Sequence, residues 1–297
     1  LGQQRTLSQE GLGNASGGEF LDAYVYADFW LGDDIPLSLR LGKQVVSWGE
    51  STFIFNGINV INPVDVGALR APGAEIKDAL LPVNMLYGSL GLTEDITLEG
   101  FIQLEYEKTE IDDCGTFFSS NDYVADGCGP VYGVNSISES ANRVGFGGLS
   151  PTVVSREADL EPDDTDQFGI AMRWFLPELN ETELGLYFIQ YHSRAPLVSG
   201  ITAQDVDGNG EISTATEAFN PATGAKYFVE YPEQIKLYGI SFNTSAAGIS
   251  IAGEYSYKQD APVQLNSPDL IAGATGNVYS PIFQDRVDAS SGQFATT

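Results

Sequence analysis

Residues Ile96–Ile111 read ITLEGFIQLEYEKTEI, and their side chains alternate in character. The even-numbered positions are apolar or glycine up to Tyr106, and the odd-numbered ones carry carboxylates at Glu99, Glu105 and Glu107. The alternation lasts about twelve residues, whereas strands in soluble sheets have about five to six. A tilted strand that crosses a bilayer needs about nine to eleven residues. The stretch therefore predicts a strand with lipid on one side and water or a polar lumen on the other.

The same alternation predicts further strands along the chain. They cover residues 19–31, 35–50, 80–92, 167–176, 183–193, 234–243 and 248–258. Short turns between them alternate with long connections at 51–79, 112–166 and 194–233. Outer-membrane barrels have short periplasmic turns and long extracellular loops. We therefore predict an all-β fold over residues 1–297, a single antiparallel transmembrane outer-membrane β-barrel, with residues 112–166 and 194–233 as long extracellular loops.

The positions of the first and last predicted strands lead to the prediction that this chain is an internal portion of a larger barrel. By the pattern of connections, the strands predicted at 19–31 and 248–258 both have their free ends on the long-loop side. Intact outer-membrane barrels usually start and end in the periplasm, and their last strand usually closes on an aromatic residue. A barrel of eight strands that closes alone is the alternative.

The composition limits the possible classes of protein. The chain has 297 residues, a formal charge of −27 and 42% hydrophobic residues. No apolar run approaches the roughly eighteen residues of a transmembrane helix, which excludes a helical membrane protein. The acidic balance argues against nucleic acid as a partner, because few groups could neutralise phosphates. It suits a surface that binds cations or faces a salty medium, or simply a self-repelling exterior.

Charged residues of both signs occupy positions that are predicted to face the lumen. They are the acids Asp22, Asp28, Glu99, Glu105 and Glu254 and the bases Arg40, Lys43 and Arg173. The excess of acids would favour cations, and aromatic side chains such as Phe101 would offer an apolar track. The alternative is a filled, salt-bridged interior without an open path, as small barrels have.

Residues 51–79 are predicted to fold into the barrel and narrow it. Apolar side chains such as Ile58 and Ile61 need burial, and the lumen is one place that offers it. Charge at a constriction is how pores select ions, so Arg70 and Glu75 are candidate selectivity residues. A cap on the outer surface is the alternative.

Residues 205–212, DVDGNGEI, match the first eight positions of a calcium-binding loop. Position twelve is Thr216 where such loops have a bidentate Glu, and Glu217 follows one place later. The segment predicts a Ca²⁺ that braces an extracellular loop, with a plain Asp/Gly turn as the alternative. The candidate ligands are Asp205, Asp207, Asn209, Glu211 and Glu217.

The two cysteines, Cys114 and Cys128, lie in one polar stretch without a histidine beside them. This arrangement predicts a disulfide formed in an oxidising compartment, in preference to a metal site or a redox pair.

The single histidine gives little support to catalysis. His192-Ser193 superficially resembles the pair of an outer-membrane lipase, but the sequence places no orienting acid or oxyanion loop beside it. Neighbours in a strand also point to opposite faces. The sequence therefore predicts that the protein is not an enzyme.

Leu39–Asn62, LRLGKQVVSWGESTFIFNGINVIN, followed by Pro63-Val64-Asp65, resembles the large outer-membrane proteins of the domain-of-unknown-function family DUF1302. Further matching segments are 21–26, 68–75, 80–83 and 260–264, so the resemblance extends over most of the chain. The resemblance implies a barrel in the bacterial outer membrane, in contact with its lipid and often encoded near a periplasmic companion and a lipid-exporter-type inner-membrane permease. It implies no catalytic residues.

The function expected from barrel and family together is an outer-membrane channel or exit for hydrophobic or lipid-like small molecules. The alternative is a surface interaction, adhesion or receptor barrel with a closed lumen.

Overall fold

The computed structural model of the protein is predominantly β. It describes residues 21–32, 34–50, 57–70, 72–74, 79–114, 116–119, 123–126, 128–132, 152–208, 212, 215–246, 248–276 and 280–282. The strands in chain order are β1 (Ala23–Leu31), β2 (Ile35–Gln44), β3 (Val83–Gly91), β4 (Ile96–Gln103), β5 (Val131–Tyr132), β6 (Val153–Arg156), β7 (Phe168–Leu176), β8 (Thr182–Tyr191), β9 (Leu197–Ile201), β10 (Lys226–Glu230), β11 (Ile235–Ala246) and β12 (Ile249–Gln259). The helices are α1 (Val66–Leu69), α2 (Ala215–Ala218) and α3 (Ser267–Ala274). The predicted all-β class is confirmed.

Eight strands form one antiparallel sheet in the order β1-β2-β3-β4-β7-β8-β11-β12. Each pairs with the next member of this series along the chain, and they are eight to twelve residues long. All the strands predicted from alternation are therefore present in one sheet. The long connections all leave the sheet at one end, as consecutive antiparallel pairing requires.

The two faces of this sheet differ in chemistry. We call the outer face the one that carries Leu37, whose row continues through every strand of the sheet. The row consists of Phe29, Leu37, Leu90, Leu98, Met172, Leu186, Ile240 and Tyr255. The opposite, inner face mixes aromatic and charged groups, among them Arg40, Phe101 and Arg173.

The long connections are folded in their own right, which the sequence did not predict. Their short strands form a second sheet, in the order β5-β6-β10-β9, with β6 and β10 parallel. Helix α3 packs against β9, and buried side chains such as Tyr227, Val229 and Val154 form the core of this layer. Among the described residues, no helix is both long enough and apolar enough to cross a membrane.

Two predicted strands end earlier than the alternation suggested. Strand β4 ends at Gln103, because Tyr106 turns inward: its ring packs against Tyr231 and its hydroxyl donates to the Ser193 carbonyl at 2.7 Å. Glu105 therefore does not line the sheet. Instead, it accepts hydrogen bonds from the backbone and side chain of Asn84, at 3.2 and 2.8 Å.

Strand β2 ends at Gln44, and the pairing through Gly42 continues without an inserted residue. A Cβ at Gly42 would stand 2.4 Å from the Ala23 carbonyl oxygen, so the close approach of β1 and β2 requires glycine here. Because the register is unbroken, Lys43 falls in the row of Asn84, on the opposite face from Arg40. The prediction that Lys43 faces the interior is therefore wrong.

Candidate functional site

The inner face of the large sheet is covered by the segment that follows β2. We call residues 45–50 and 57–62 the strap. Its apolar side chains are buried in one cluster with the inner face of the sheet: Val46, Trp48, Ile58, Val60 and Ile61. Of the predicted constricting segment, the described residues 57–61 thus do fold onto the sheet, whereas 51–56 lie outside the described part.

Trp48, the aromatic residue of the strap, is almost completely buried, with 1% of its surface exposed. Its indole nitrogen donates to Glu99 Oε2 at 2.7 Å, so a buried donor meets a carboxylate on β4. Its ring lies 5.2 Å from that of Phe101 and 5.9 Å from that of Tyr187. A Cβ at Gly169 would come within 2.9 Å of the indole, so this glycine makes room for Trp48.

Glu254, on β12, holds the strap at two points. Its Oε2 accepts the backbone N–H of Glu50 at 2.7 Å, and its Oε1 accepts that of Ile58 at 3.1 Å. Gly49 adopts φ +86°, and a Cβ there would lie 2.4 Å from Glu254 Oε2. Next along, the Ile58 side chain fits over Gly239 of β11, where a Cβ would be 2.8 Å away. Glycines at these two positions allow the close approach.

The contact between Glu50 and Glu254 shows that the sheet is strongly curved. Strand β12 is six places beyond β2 in the sheet, a separation of about 29 Å in a flat sheet. Residues 44 to 50 span at most about 22 Å when fully extended, and the Glu254 side chain with its hydrogen bond adds little more than the difference. The chain is not fully extended, because it bends at Gly49, where φ is +86°. The sheet therefore curls around the strap, which lies inside the curve.

The charges under the strap are unbalanced. Arg173 on β7 lies between Glu99 and Glu183, at 2.9 Å from each. Glu50 and Glu254 add two further carboxylates on the same side. Acids therefore outnumber the guanidinium groups of this cluster, which consists of Glu50, Glu99, Arg173, Glu183 and Glu254. Arg40, elsewhere on the inner face, stacks over the rings of Tyr87 and Tyr24, 4.2 and 5.7 Å from their centroids.

A buried arginine anchors the far end of the strap. Arg194 donates to the carbonyls of Ile61, at 3.1 Å, and Glu107, at 2.6 Å, and also to the Gln103 side chain. Burial lowers the pKa of Arg194 to about 10, so the group remains charged at neutral pH. Its guanidinium therefore ties β4, the strap and the end of β8 into one unit.

The structure thus brings together part of the predicted lumen set. Glu99, Arg173 and Glu254 meet at the strap, and Arg40 shares their face. Asp28 shares that face but lies on the exposed strand β1, and Asp22 just precedes this strand. Arg70 lies elsewhere: it pairs with Asp112 and its guanidinium sits 5.6 Å from the Phe118 ring. Glu75 lies outside the described residues.

Three of the predicted calcium ligands also converge. Carboxylate oxygens of Asp205, Asp207 and Glu217 all lie within 4.8 Å of one another. Glu217 belongs to α2 and is buried, whereas the two aspartates are exposed. Gly208 donates its N–H to Asp205 at 2.7 Å and adopts φ +76°. Asn209 and Glu211 lie outside the described residues.

Cys114 and Cys128 form the predicted disulfide in the second long connection.

His192 is buried, and both its ring nitrogens contact backbone groups. Nδ1 accepts the N–H of Gln234 at 3.1 Å, so Nε2 donates to the Thr165 carbonyl at 2.8 Å. With both nitrogens engaged in this way, His192 joins the two ends of the connection between β8 and β11 to the connection between β4 and β7.

Several residues of the site were not predicted from sequence. Trp48 falls in the predicted strand 35–50 but lies beyond the observed end of β2, and Asn62 and Arg194 lie outside every predicted strand. Periodicity therefore assigns none of them a reliable face. Asn62 accepts from Val46 and donates to the Gln44 and Leu81 carbonyls, which holds together the two ends of the strap. The one available signal for Trp48 was its position in the segment that most resembles DUF1302 proteins.

Comparison with known proteins gives a family but no characterised relative. Neither the curated proteins nor the solved structures contain a match. A family model, described as "Protein of unknown function (DUF1302)", matches residues 4–295. The match covers both the curved sheet with its strap and the folded connections. The chain therefore belongs to the DUF1302 family.

Proposed function

We propose that this protein is an outer-membrane β-barrel that passes hydrophobic or lipid-like small molecules, with the strap as its constriction. The observation that carries the proposal is the contrast between the two sheet faces. The outer face exposes apolar side chains across the whole sheet, including Ile170 at 53% and Ile102 at 55%. Soluble proteins rarely leave contiguous apolar patches of such extent in water, whereas lipid requires them.

The ends of the apolar surface support a membrane boundary. Near the long connections, the outer face carries four aromatic side chains in a file across neighbouring strands, Phe168, Phe188, Tyr238 and Tyr257, with ring centroids 5.3 to 6.4 Å apart. In the row of Phe168, which lies one row nearer the connections than the other three rings, Gln190, Lys236 and Gln259 are polar. Aromatic girdles occupy this position in transmembrane barrels. Strand lengths of eight to twelve residues also suit a tilted crossing.

Closure of the proposed barrel requires partners for two strands. Among the described residues, β1 and β12 each have a neighbour on one side alone. An open sheet edge is not tolerated in hydrocarbon, because its backbone groups would lack hydrogen bonds. The proposed barrel closes either by pairing of β1 with β12 or by further strands between them.

The strap supports a gated path for apolar molecules. Between the strap and the sheet, the rings of Trp48, Phe101 and Tyr187 pack together beside an excess of carboxylates. Aromatic faces suit an apolar solute, and acids at a constriction favour cations among ions. In this proposal the protein is not an enzyme, and it works with a periplasmic companion and an inner-membrane permease.

Tight packing of the strap favours the second candidate, an interaction or receptor barrel with a closed lumen. Trp48 and Ile58 are completely or almost completely buried, and Arg173 is paired with two acids. In this case the folded connections, with their own sheet and disulfide, would be the working surface.

Conductance across planar bilayers separates the two candidates. We expect the wild-type protein to conduct, with a preference for cations, and the Glu254→Gln variant to conduct at least twofold more, because a neutral amide weakens the anchoring of the strap. Glu94→Gln, an exposed acid in the short turn after β3, is the matched control and should behave as wild type. A deletion strain should also lose uptake or export of apolar solutes. No conductance from the wild type or Glu254→Gln, with unchanged transport in the deletion strain, would favour the closed barrel.

A further inference from the structure

A pocket of about 300 Å³ lies among the long connections, apart from the strap. Its walls come from four separate segments of the chain. Val66 and Arg70 belong to α1 and its end, and Ile111 and Ser119 to the connection after β4. Val198 belongs to β9, and Ser267 begins α3.

Contacts hold the loop wall and the sheet wall of the pocket in place. The connection that carries Ser119 is closed by the disulfide, and the Arg156 guanidinium donates to carbonyls along it, including those of Val124 at 2.9 Å and Cys128 at 3.2 Å. The Gln264 amide bonds both backbone groups of Val198, at 2.6 and 3.1 Å, which holds the chain before α3 against β9. The pocket is therefore preformed, as small-molecule sites usually are.

The charges of the pocket cancel. Arg70 and Asp112, the charged residues of its lining, pair with each other, and the Gln264 amide is engaged with β9. The remaining surface combines aliphatic groups, such as Val66, Ile111 and Val198, with the Tyr123 side chain and the serines Ser119 and Ser267. A ligand with a net charge would lose its hydration here without gaining a counterion, which is costly. A neutral ligand does not incur this cost.

We propose that this pocket binds a neutral amphipathic small molecule: an apolar ring or short chain that carries a hydroxyl group. The volume has room for about ten water-sized groups, which suits a molecule of that many non-hydrogen atoms. The apolar part packs against Val198 and Ile111, and the hydroxyl of the ligand exchanges hydrogen bonds with the serine side of the wall. The site differs from the strap and needs no transport activity.

Calorimetric titration of the full-length chain in detergent with 3-phenylpropan-1-ol tests the proposal, with protein-free micelles as the background. Saturable binding is expected, at least tenfold tighter than for 3-phenylpropanoate or 3-phenylpropylamine, which share the shape but carry a charge. Absence of saturable binding by the alcohol, or equal or tighter binding of either charged analogue, would overturn the assignment.

Two variants test whether the binding occurs in this pocket. Val198→Trp fills it from the sheet side and Ser119→Trp from the loop side, and each should weaken binding at least tenfold. Leu160→Trp, on an exposed residue beside the second sheet, is the control and should bind as wild type. If Val198→Trp fails to fold, Ser119→Trp decides alone, and unchanged binding by it would overturn the proposal. Glu254→Gln should leave binding unchanged, so that failure of this site and failure of the channel are separately visible.

Discussion

Arg194 shows how one side chain can link segments that are far apart in sequence. Its guanidinium reaches the Ile61 carbonyl of the strap, 133 residues away, and the Gln103 side chain at the end of β4. Burial lowers the pKa of Arg194 to about 10. Burial also excludes water, so no water molecule could replace the guanidinium as the hydrogen-bond donor to these acceptors.

We expect Arg194→Met to lower the free energy of unfolding by about 3 kcal/mol, since buried acceptors at Ile61, Glu107 and Gln103 lose their donor. The measurement is thermal or denaturant unfolding followed by circular dichroism. Arg194→Lys keeps the charge but loses the planar fork, so its loss should be intermediate. A loss below about 1 kcal/mol for Arg194→Met, typical of a surface pair, would show that the anchor is not needed.

Alternation predicted the face of a residue but not its partner. It placed Glu99, Arg173 and Glu254 on the inner side correctly, because each lies in a strand with clear period two. It failed for Glu105, which lies beyond the end of β4. Lys43 follows the strict alternation of β2 and shares the outer face with Leu39 and Leu41, so the prediction that it faces the lumen departs from that alternation. Trp48 and Arg194 have no period at all, and their roles depend on contacts across more than 50 residues.

The second sheet is the element that sequence could not predict. Its strands have two to five residues, too few to show a period, and the pairing of β6 with β10 is parallel and non-local. Tyrosines form much of its core: burial raises the pKa of Tyr227 and of Tyr231 to about 12. The Tyr227 hydroxyl donates to the Tyr123 carbonyl at 3.0 Å.

The raised pKa values of these tyrosines predict that the protein loses stability at alkaline pH. An unfolded tyrosine ionises near pH 10, but Tyr227 and Tyr231 hold their protons to about pH 12 when folded. The folded state thus binds more protons between these values, so stability is complete below pH 10 and falls as pH rises to 12. The free energy of unfolding should decrease less steeply with pH in Tyr227→Phe than in wild type. Tyr255→Phe, on the exposed outer face, should follow wild type. Equal slopes for Tyr227→Phe and wild type would refute this origin.

The calcium site remains a prediction, now with a specific geometry. Glu217 lies one place beyond the usual position twelve, yet α2 brings its carboxylate to Asp205 and Asp207. We expect calorimetry to detect Ca²⁺ binding and Glu217→Gln to weaken it at least tenfold. Mg²⁺ should bind more weakly, because it demands stricter octahedral geometry. Glu178→Gln, an exposed acid in the turn after β7, is the control. If calorimetry detected no heat of Ca²⁺ binding to the wild-type protein, the segment would be an ordinary acidic turn and not a calcium site.

The molecule as a whole combines a curved sheet, an apolar outer face and a strap inside the curve. The curvature follows from the reach of the strap, since residues 44–50, which bend at Gly49, are too short to cross a flat sheet to the Glu254 side chain. The alternation of side chains then determines which solvent each face can meet. Sequence predicted this arrangement of faces well, because every strand of the sheet repeats it, but it could not predict how far the sheet curls.

A pair of neighbouring substitutions tests the orientation of the sheet in a membrane. Leu39 and Ser38 lie side by side near the middle of β2 and at the same depth, but Leu39 belongs to the outer face and Ser38 to the inner one. Arginine on a lipid-facing position near the bilayer midplane costs about 2–4 kcal/mol, so Leu39→Arg should lower stability in lipid vesicles by that amount. Ser38→Arg would stand opposite Asp28 on β1 and should change stability little. The measurement is reversible denaturant unfolding in vesicles, followed by tryptophan fluorescence. If both variants were equally stable, or if Ser38→Arg were the worse one, the outer face would not be the face that meets lipid.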